Sequence, residues 1–324
     1  MSDFRPPLAP GAAHVSVGLA AAALIAFGLA ACTSNGTSPP PQNNVHQRLF
    51  VANFASGGAA STLVAYIYPL ANGSAPNSTL TSANGVNGAR GILVDPSDDL
   101  FIANASAPNV TAYLPPVGTS TTPSLVLTNG VGTPEDLTLD NGLNLYEASL
   151  NGGACGGVGY VAVFAPPLSN SSAPAFTFCS GMDAPTGVTF DGVADIWVAN
   201  SAGNNVTAYS LPATTVSAPA VTVSGLNAPQ AITFDAAGSM YVANKGTNSV
   251  LVFKAPITNA SPVAFAITNG VNAPTYLATD ANGALYVSNA GNITIYAPPF
   301  SATSAPAITI STGLNVPVGL GIGF

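Results

Sequence analysis

From residue 48 onward, apolar runs of four to six residues alternate with clusters of Asn, Gly, Pro and Ser. The runs are rich in Val, Ile, Thr, Tyr and Phe, which suits short strands buried on both faces, and the polar clusters suit tight turns. Residues 187–191, 195–200, 206–209 and 220–223 show the pattern as four successive predicted strands. Helical periodicity is absent after the N-terminal segment.

The pattern repeats. A strand ending in Val-Ala-Asn or a relative closes at Asn53, Asn104, Ser149, Asn200, Asn244 and Asn289. A second apolar run closes on Asp95, Asp140, Asp191, Asp235 and Asp280, spaced 45, 51, 44 and 45 residues. A third anchor, an aromatic followed by a Pro, recurs as Tyr66/Pro76, Tyr113/Pro123, Phe164/Pro174, Tyr209/Pro219, Phe253/Pro262 and Tyr296/Pro306. A period of this length with four strands in each unit predicts an all-β fold, a six-bladed β-propeller of four-stranded antiparallel blades. The folded part begins on a second strand, residues 48–53, and stops on a first strand, residues 319–324. The C-terminal strand is therefore expected to close the ring and remove the open edge, leaving a monomer.

These units resemble NHL repeats. Pro185-Thr186-Gly187-Val188-Thr189-Phe190-Asp191 followed by Ile196-Trp197-Val198-Ala199-Asn200 carries the likeness, and Tyr241-Val242-Ala243-Asn244 is similar to the related YVTN-type repeat. The resemblance covers all six units and implies the propeller fold. It is weak for activity, because such propellers include scaffolds, ligand binders and a few hydrolases or lyases. The enzymes among them use a metal held by carboxylates and Asn, or His-dependent chemistry, at the central channel. Both histidines here, His14 and His46, precede the first strand, so only the metal route stays open, with Glu135 and Asp136 as its carboxylates.

Charge narrows the partners. Five Lys and Arg stand against 13 Asp and Glu, a net −8, which sets nucleic acid aside. Residues 15–29 form an apolar stretch too short for a comfortable span and read as a signal peptide. Leu29-Ala30-Ala31-Cys32 resembles the lipobox of bacterial lipoproteins. The resemblance implies cleavage before a lipidated Cys32, a membrane partner through that lipid, and an extracytoplasmic place on the bacterial envelope. An ordinary secretory signal or an uncleaved anchor are the alternatives. Residues 1–31 are assigned to the lipoprotein signal peptide, 32–45 to the lipidated Cys and a Ser/Thr/Asn/Pro tether, and 46–324 to the propeller.

Candidate chemistry is sparse. The recurring Asp residues precede tight connections and are read as Asx-turns, and the recurring Asn residues as satisfying the backbone of the next loop. More pointed is the position before each first strand, where an otherwise repeated motif carries Arg90, Glu135, Thr186, Gln230, Thr275 and Val318. These side chains are expected to ring one mouth of the channel, either as a ligand site or as a cap in which Arg90 and Glu135 pair between blades. Loops 54–61 and 150–159 are longer than their counterparts and fall on that same end. Cys155, in the second of them, is placed beside Cys179, as a disulfide or as two buried thiols. The function expected is binding of a protein, peptide or glycan through Arg90, Glu135, Thr186, Gln230 and Thr275, with no cofactor assigned; the alternative is a metal-dependent hydrolase or lyase at the channel mouth.

Overall fold

The structure is a computed structural model that describes residues 47–54, 61–152 and 155–323. Cys32, the apolar run and the tether lie outside the described residues. No helix among the described residues is long and apolar enough to cross a membrane.

Blade I holds β1 (Arg48–Asn53), β2 (Thr62–Ile67) and β3 (Ser78–Leu80). Blade II is β4 (Ala89–Val94), β5 (Leu100–Asn104), β6 (Asn109–Tyr113) and β7 (Leu125–Leu127). Blade III is β8 (Pro134–Leu139), β9 (Leu145–Ser149), β10 (Tyr160–Phe164) and β11 (Phe176–Phe178). Blade IV is β12 (Pro185–Phe190), β13 (Asp195–Asn200), β14 (Asn205–Ser210) and β15 (Val221–Val223). Blade V is β16 (Pro229–Phe234), β17 (Met240–Asn244), β18 (Ser249–Phe253) and β19 (Phe265–Ile267). Blade VI is β20 (Tyr276–Thr279), β21 (Leu285–Ser288), β22 (Ile293–Tyr296) and β23 (Ile308–Ile310). The last strand, β24 (Pro317–Gly323), joins the first sheet in the order β24-β1-β2-β3, so the ring closes through the C-terminus. The innermost strands β24, β4, β8, β12, β16 and β20 pack side by side in that cyclic order around the channel.

Two boundaries differ from the sequence expectation. Outer strands have three residues rather than four, because an edge strand has a ladder partner on one side only. In blades II, IV and VI the free edge is partly covered by an Asn of the next blade: Asn170 Oδ1 accepts from Val126 N at 2.9 Å, and Asn259 and Asn72 do the same for Thr222 and Thr309. The closing strand starts at Pro317, which pairs with Asn53 ahead of an irregularity in the ladder.

The core consists of six apolar slabs, one at each blade interface. Between blades VI and I, for example, Leu49, Val51 and Tyr66 pack with Tyr286, Ile293, Ile310 and Leu320. The recurring aromatics are fully buried. A buried phenol needs a hydrogen-bond partner, and each of four tyrosines finds one on the loop that enters its blade. Tyr66, Tyr113, Tyr209 and Tyr296 donate to the carbonyls of Thr312, Asn84, Ser180 and Asn269 at 2.6–2.8 Å. Cys155 and Cys179 are bonded, with Cα atoms 5.9 Å apart, which ties the long loop of blade III to the end of its outer strand.

Candidate functional site

The innermost strands enter the channel with their ladders broken at one position. Pro185 pairs with Asn200 and Gly187 with Ala199, leaving Thr186 unpaired between them. The same irregularity leaves Glu135, Arg90, Gln230 and Val318 out of register in β8, β4, β16 and β24, and Thr275 directly precedes β20. A bulged residue has no ladder partner and bends its strand, so its side chain can be re-aimed. That is why the position varies freely inside a repeated motif. All six side chains line a single cavity of about 250 Å³ at one end of the channel, joined by Phe54 and Lys245.

Arg90 lies over the Phe54 ring, its Cζ 3.9 Å from the ring centroid, and its Nε is 3.6 Å from Glu135 Oε2 in the adjacent blade. Burial pushes the Glu135 carboxyl above its ordinary value, and the Arg90 charge pulls it back. The Thr186 hydroxyl donates to the Pro229 carbonyl of blade V at 3.2 Å, and the Thr275 hydroxyl donates to the Pro317 carbonyl of blade I at 2.9 Å. Arg90–Glu135, Thr186 and Thr275 thus staple blades II to III, IV to V and VI to I. Lining and capping, the two roles open at sequence level, coexist in the same side chains. Gln230 makes only long contacts of 3.4 Å, to backbone carbonyls of its own strand end.

The floor of this cavity was not foreseen. Tyr276 projects from blade VI across the channel and donates to Asp136 Oδ1 of the opposite blade III at 2.7 Å. Asp136 also accepts from Val188 N at 2.9 Å and Leu137 N at 2.8 Å. Its carboxyl is pushed up to about 7 by burial, against the pull of these donors. Tyr276 borders both the mouth cavity and a second one, also about 250 Å³, that opens at the other end. The bridge therefore divides the channel into two vestibules. Its signal was present in the sequence. The residue after the variable one is Gly91, Gly187, Ala231 and Gly319 in four blades, and the two exceptions, Asp136 and Tyr276, meet each other.

The repeated polar residues are occupied structurally. Asp235 Oδ1 accepts from Ala237 N and Ser239 N while Oδ2 accepts from the Tyr241 hydroxyl, and Asp140 and Asp280 repeat the arrangement with Tyr146 and Tyr286. In the Asn ring, Oδ1 of Asn104, Asn200, Asn244 and Asn289 accepts from a backbone N–H 17 residues earlier, on the loop entering the blade. This corrects the expectation of the following loop. The second strand ends beside the loop that feeds its antiparallel neighbour, and only the amide nitrogen reaches onward, as in Asn104 to Asn109 at 2.9 Å.

Larger clefts of about 470 and 440 Å³ open between blades II and III and between III and IV, on the Asp-turn side. Their floors are apolar gaps between blades, lined by residues such as Leu139, Leu168, Phe190 and Leu211. As metal ligands, Glu135 and Asp136 fit poorly. One is paired with Arg90, the other accepts three hydrogen bonds, and among the described residues no group of three His, Cys, Asp or Glu is placed to hold a metal.

No protein-family profile matches the sequence, and no functionally curated protein does so at a significant level. Solved structures match its shape. The periplasmic gluconolactonase of Pseudomonas aeruginosa superposes with a TM-score of 0.62 at 14% identity, covering 86% of this chain and 99% of that one. A chain of the nidogen/laminin complex gives 0.62 at 14%, covering 86% and 98%. A protein of unknown function from Bacteroides caccae gives 0.62 at 9%, again covering 86% and 98%. At these identities the likeness is one of fold.

Proposed function

We propose that the protein is a lipid-anchored, extracytoplasmic propeller of NHL type that binds a protein, peptide or glycan ligand at the channel mouth. One observation carries the reading: the five residues at the variable position of the repeat, Arg90, Glu135, Thr186, Gln230 and Thr275, converge on one cavity. Strand scaffold and Asp turns repeat, while the lining does not, which is the division of labour expected of a binding module on a rigid frame. Gln230→Ala is expected to weaken a ligand captured from envelope extract by about 1 kcal/mol, and Arg90→Ala by up to about 3 because a charge is involved. Isothermal titration of wild type and variants reads the effect, with Ala236→Ser at the Asp-turn end as a silent control. Silent mouth variants, with the ligand mapped to the outer strands, would refute the placement.

The anchor is a separate part of the same proposal and rests on the Leu29-Ala30-Ala31-Cys32 likeness. Cys32→Ser is expected to shift the protein from the membrane to the soluble fraction, and globomycin to block processing of wild type. A wild type found fully soluble would sink the idea. The hydrolase alternative draws on the gluconolactonase likeness, and it would have to take Glu135 and Asp136 from their present partners.

A further inference from the structure

Resting on the binding reading above, we infer that the mouth is built for a carboxylated sugar ring of an acidic glycan. Three observations meet there. The first is the distribution of cations. The described part of the chain holds four, and two of them, Arg90 and Lys245, line this cavity of an otherwise acidic protein. Arg48 and Lys254 lie at the other end, beside eight aspartates of the strand turns: Asp95, Asp98, Asp99, Asp140, Asp191, Asp195, Asp235 and Asp280. An anion is therefore repelled from one end of the channel, while at the other the two lining cations face only Glu135 in the lining and the exposed Asp183 on a loop outside it.

The second is the state of those cations. The Arg90 guanidinium is held in place by the Phe54 face beneath it and by Glu135 at its Nε edge, yet that Nε has no hydrogen-bond partner. Glu135 is too distant at 3.6 Å to bond it closely, and the two terminal nitrogens make no hydrogen bond among the described residues. A rigid, under-used fork is what a carboxylate engages with two parallel bonds. Lys245 has no ion pair among the described residues. With Glu135 as the one carboxyl in the lining, the cavity carries a single net positive charge, which matches one carboxylate better than a doubly charged phosphate.

The third is the polarity of the remaining wall. The Thr186 and Thr275 hydroxyls spend their protons on the carbonyls of Pro229 and Pro317, so toward the cavity both act as acceptors only. Glu135 adds acceptor oxygens and Gln230 a carboxamide. Acceptors spread around the ring call for several donors on the ligand. The vicinal hydroxyls of a sugar supply them, whereas a peptide C-terminus brings one N–H near its carboxylate. Phe54 and Tyr276 offer apolar surface at the side and floor, and about 250 Å³ admits one such ring with its neighbours outside.

The test titrates the full chain in detergent with trigalacturonate, its methyl ester, trigalactose, and the tripeptide Ala-Ala-Ala with a free or amidated C-terminus. Trigalacturonate is expected to bind at least tenfold tighter than its ester or trigalactose, and to weaken as salt is raised. Arg90→Gln and Lys245→Gln should each lower that affinity about tenfold while Lys254→Gln, at the opposite end, leaves it unchanged. Circular dichroism and thermal melts establish that the variants are folded, and the exposed Lys245 serves should Arg90→Gln not fold. Equal binding of the ester or trigalactose, with the same loss in Gln230→Ala, would overturn the charge inference and keep the mouth as a binding site. Tighter binding of the free tripeptide, dependent on Arg90, would replace the glycan by a peptide terminus. Absence of binding by any probe would overturn the inference, and the binding reading falls with it only if mouth variants also leave capture from envelope extract unchanged.

Discussion

Removal of residues 317–324 is expected to yield a chain that does not reach the native state. β24 pairs with β1 from Arg48↔Gly323 to Asn53↔Pro317, and with it go one blade's innermost strand and the wall it shares with blades II and VI. About half a dozen ladder hydrogen bonds at about 1 kcal/mol each, with burial of Val318 and Leu320, sum to an order of 10 kcal/mol, the whole stability of a typical domain. Size-exclusion chromatography and far-UV circular dichroism of the truncated protein should show aggregate or unfolded chain. A graded variant tests the same contact. β24 alternates Gly319, Gly321 and Gly323 toward blade II, and a Cβ at Gly319 would overlap the Arg90 carbonyl. Gly319→Val should therefore lower the melting temperature sharply by pushing two innermost strands apart, and an unchanged melt would show that blades I and II do not pack this closely.

The second large effect runs the other way. Glu147 is expected to be a destabilising residue whose replacement by Val strengthens the fold on the order of 3 kcal/mol at pH 8, the usual scale for a buried charge or unpaired polar group. It is fully buried, and neither carboxylate oxygen has a hydrogen-bond partner. The hydroxyl of Ser149 lies close but outside bonding geometry. The other five units carry Val51, Ile102, Val198, Val242 and Val287 at this place. Burial pushes the Glu147 carboxyl up to about 8, with the Glu135 charge adding to the rise. The folded protein then keeps a proton that the unfolded chain releases above about 4.5, so stability falls as pH climbs from there to about 8 and levels off beyond. Asp136, raised to about 7, adds a fall over the lower part of that window. Urea unfolding at pH 5 and pH 8 should give a larger gain for Glu147→Val at the higher pH, and Glu147→Gln should flatten the slope. Equal gains at both values would mean that Glu147 does not titrate in this range.

Much of this molecule was legible as a line of residues. Strand length, turn chemistry, the period near 45 residues and the placing of the chain ends all act over short distances, so they specify blade number, blade content and closure by the C-terminal strand. Which Asp residues serve turns could be read for the same reason, since their partners lie within a few residues of the chain, whereas the backbone partners of the Asn ring lie 17 residues earlier. The Cys155–Cys179 neighbourhood followed from topology alone. Other features depend on what faces what around a ring. Bulges that turn Arg90, Glu135 and Gln230 into the mouth arise where six innermost strands crowd together at an axis, and no single unit contains that crowding. Tyr276 and Asp136 are 140 residues apart and belong to opposite blades, so their bond exists only once the ring has closed. The two acceptor-only threonines follow from carbonyls of the adjacent blade, and the orphaned Glu147 from the absence of any partner in a packed interface. Local periodicity determined the frame, and the meeting of distant side chains at its axis, which only tertiary packing brings about, decided the site.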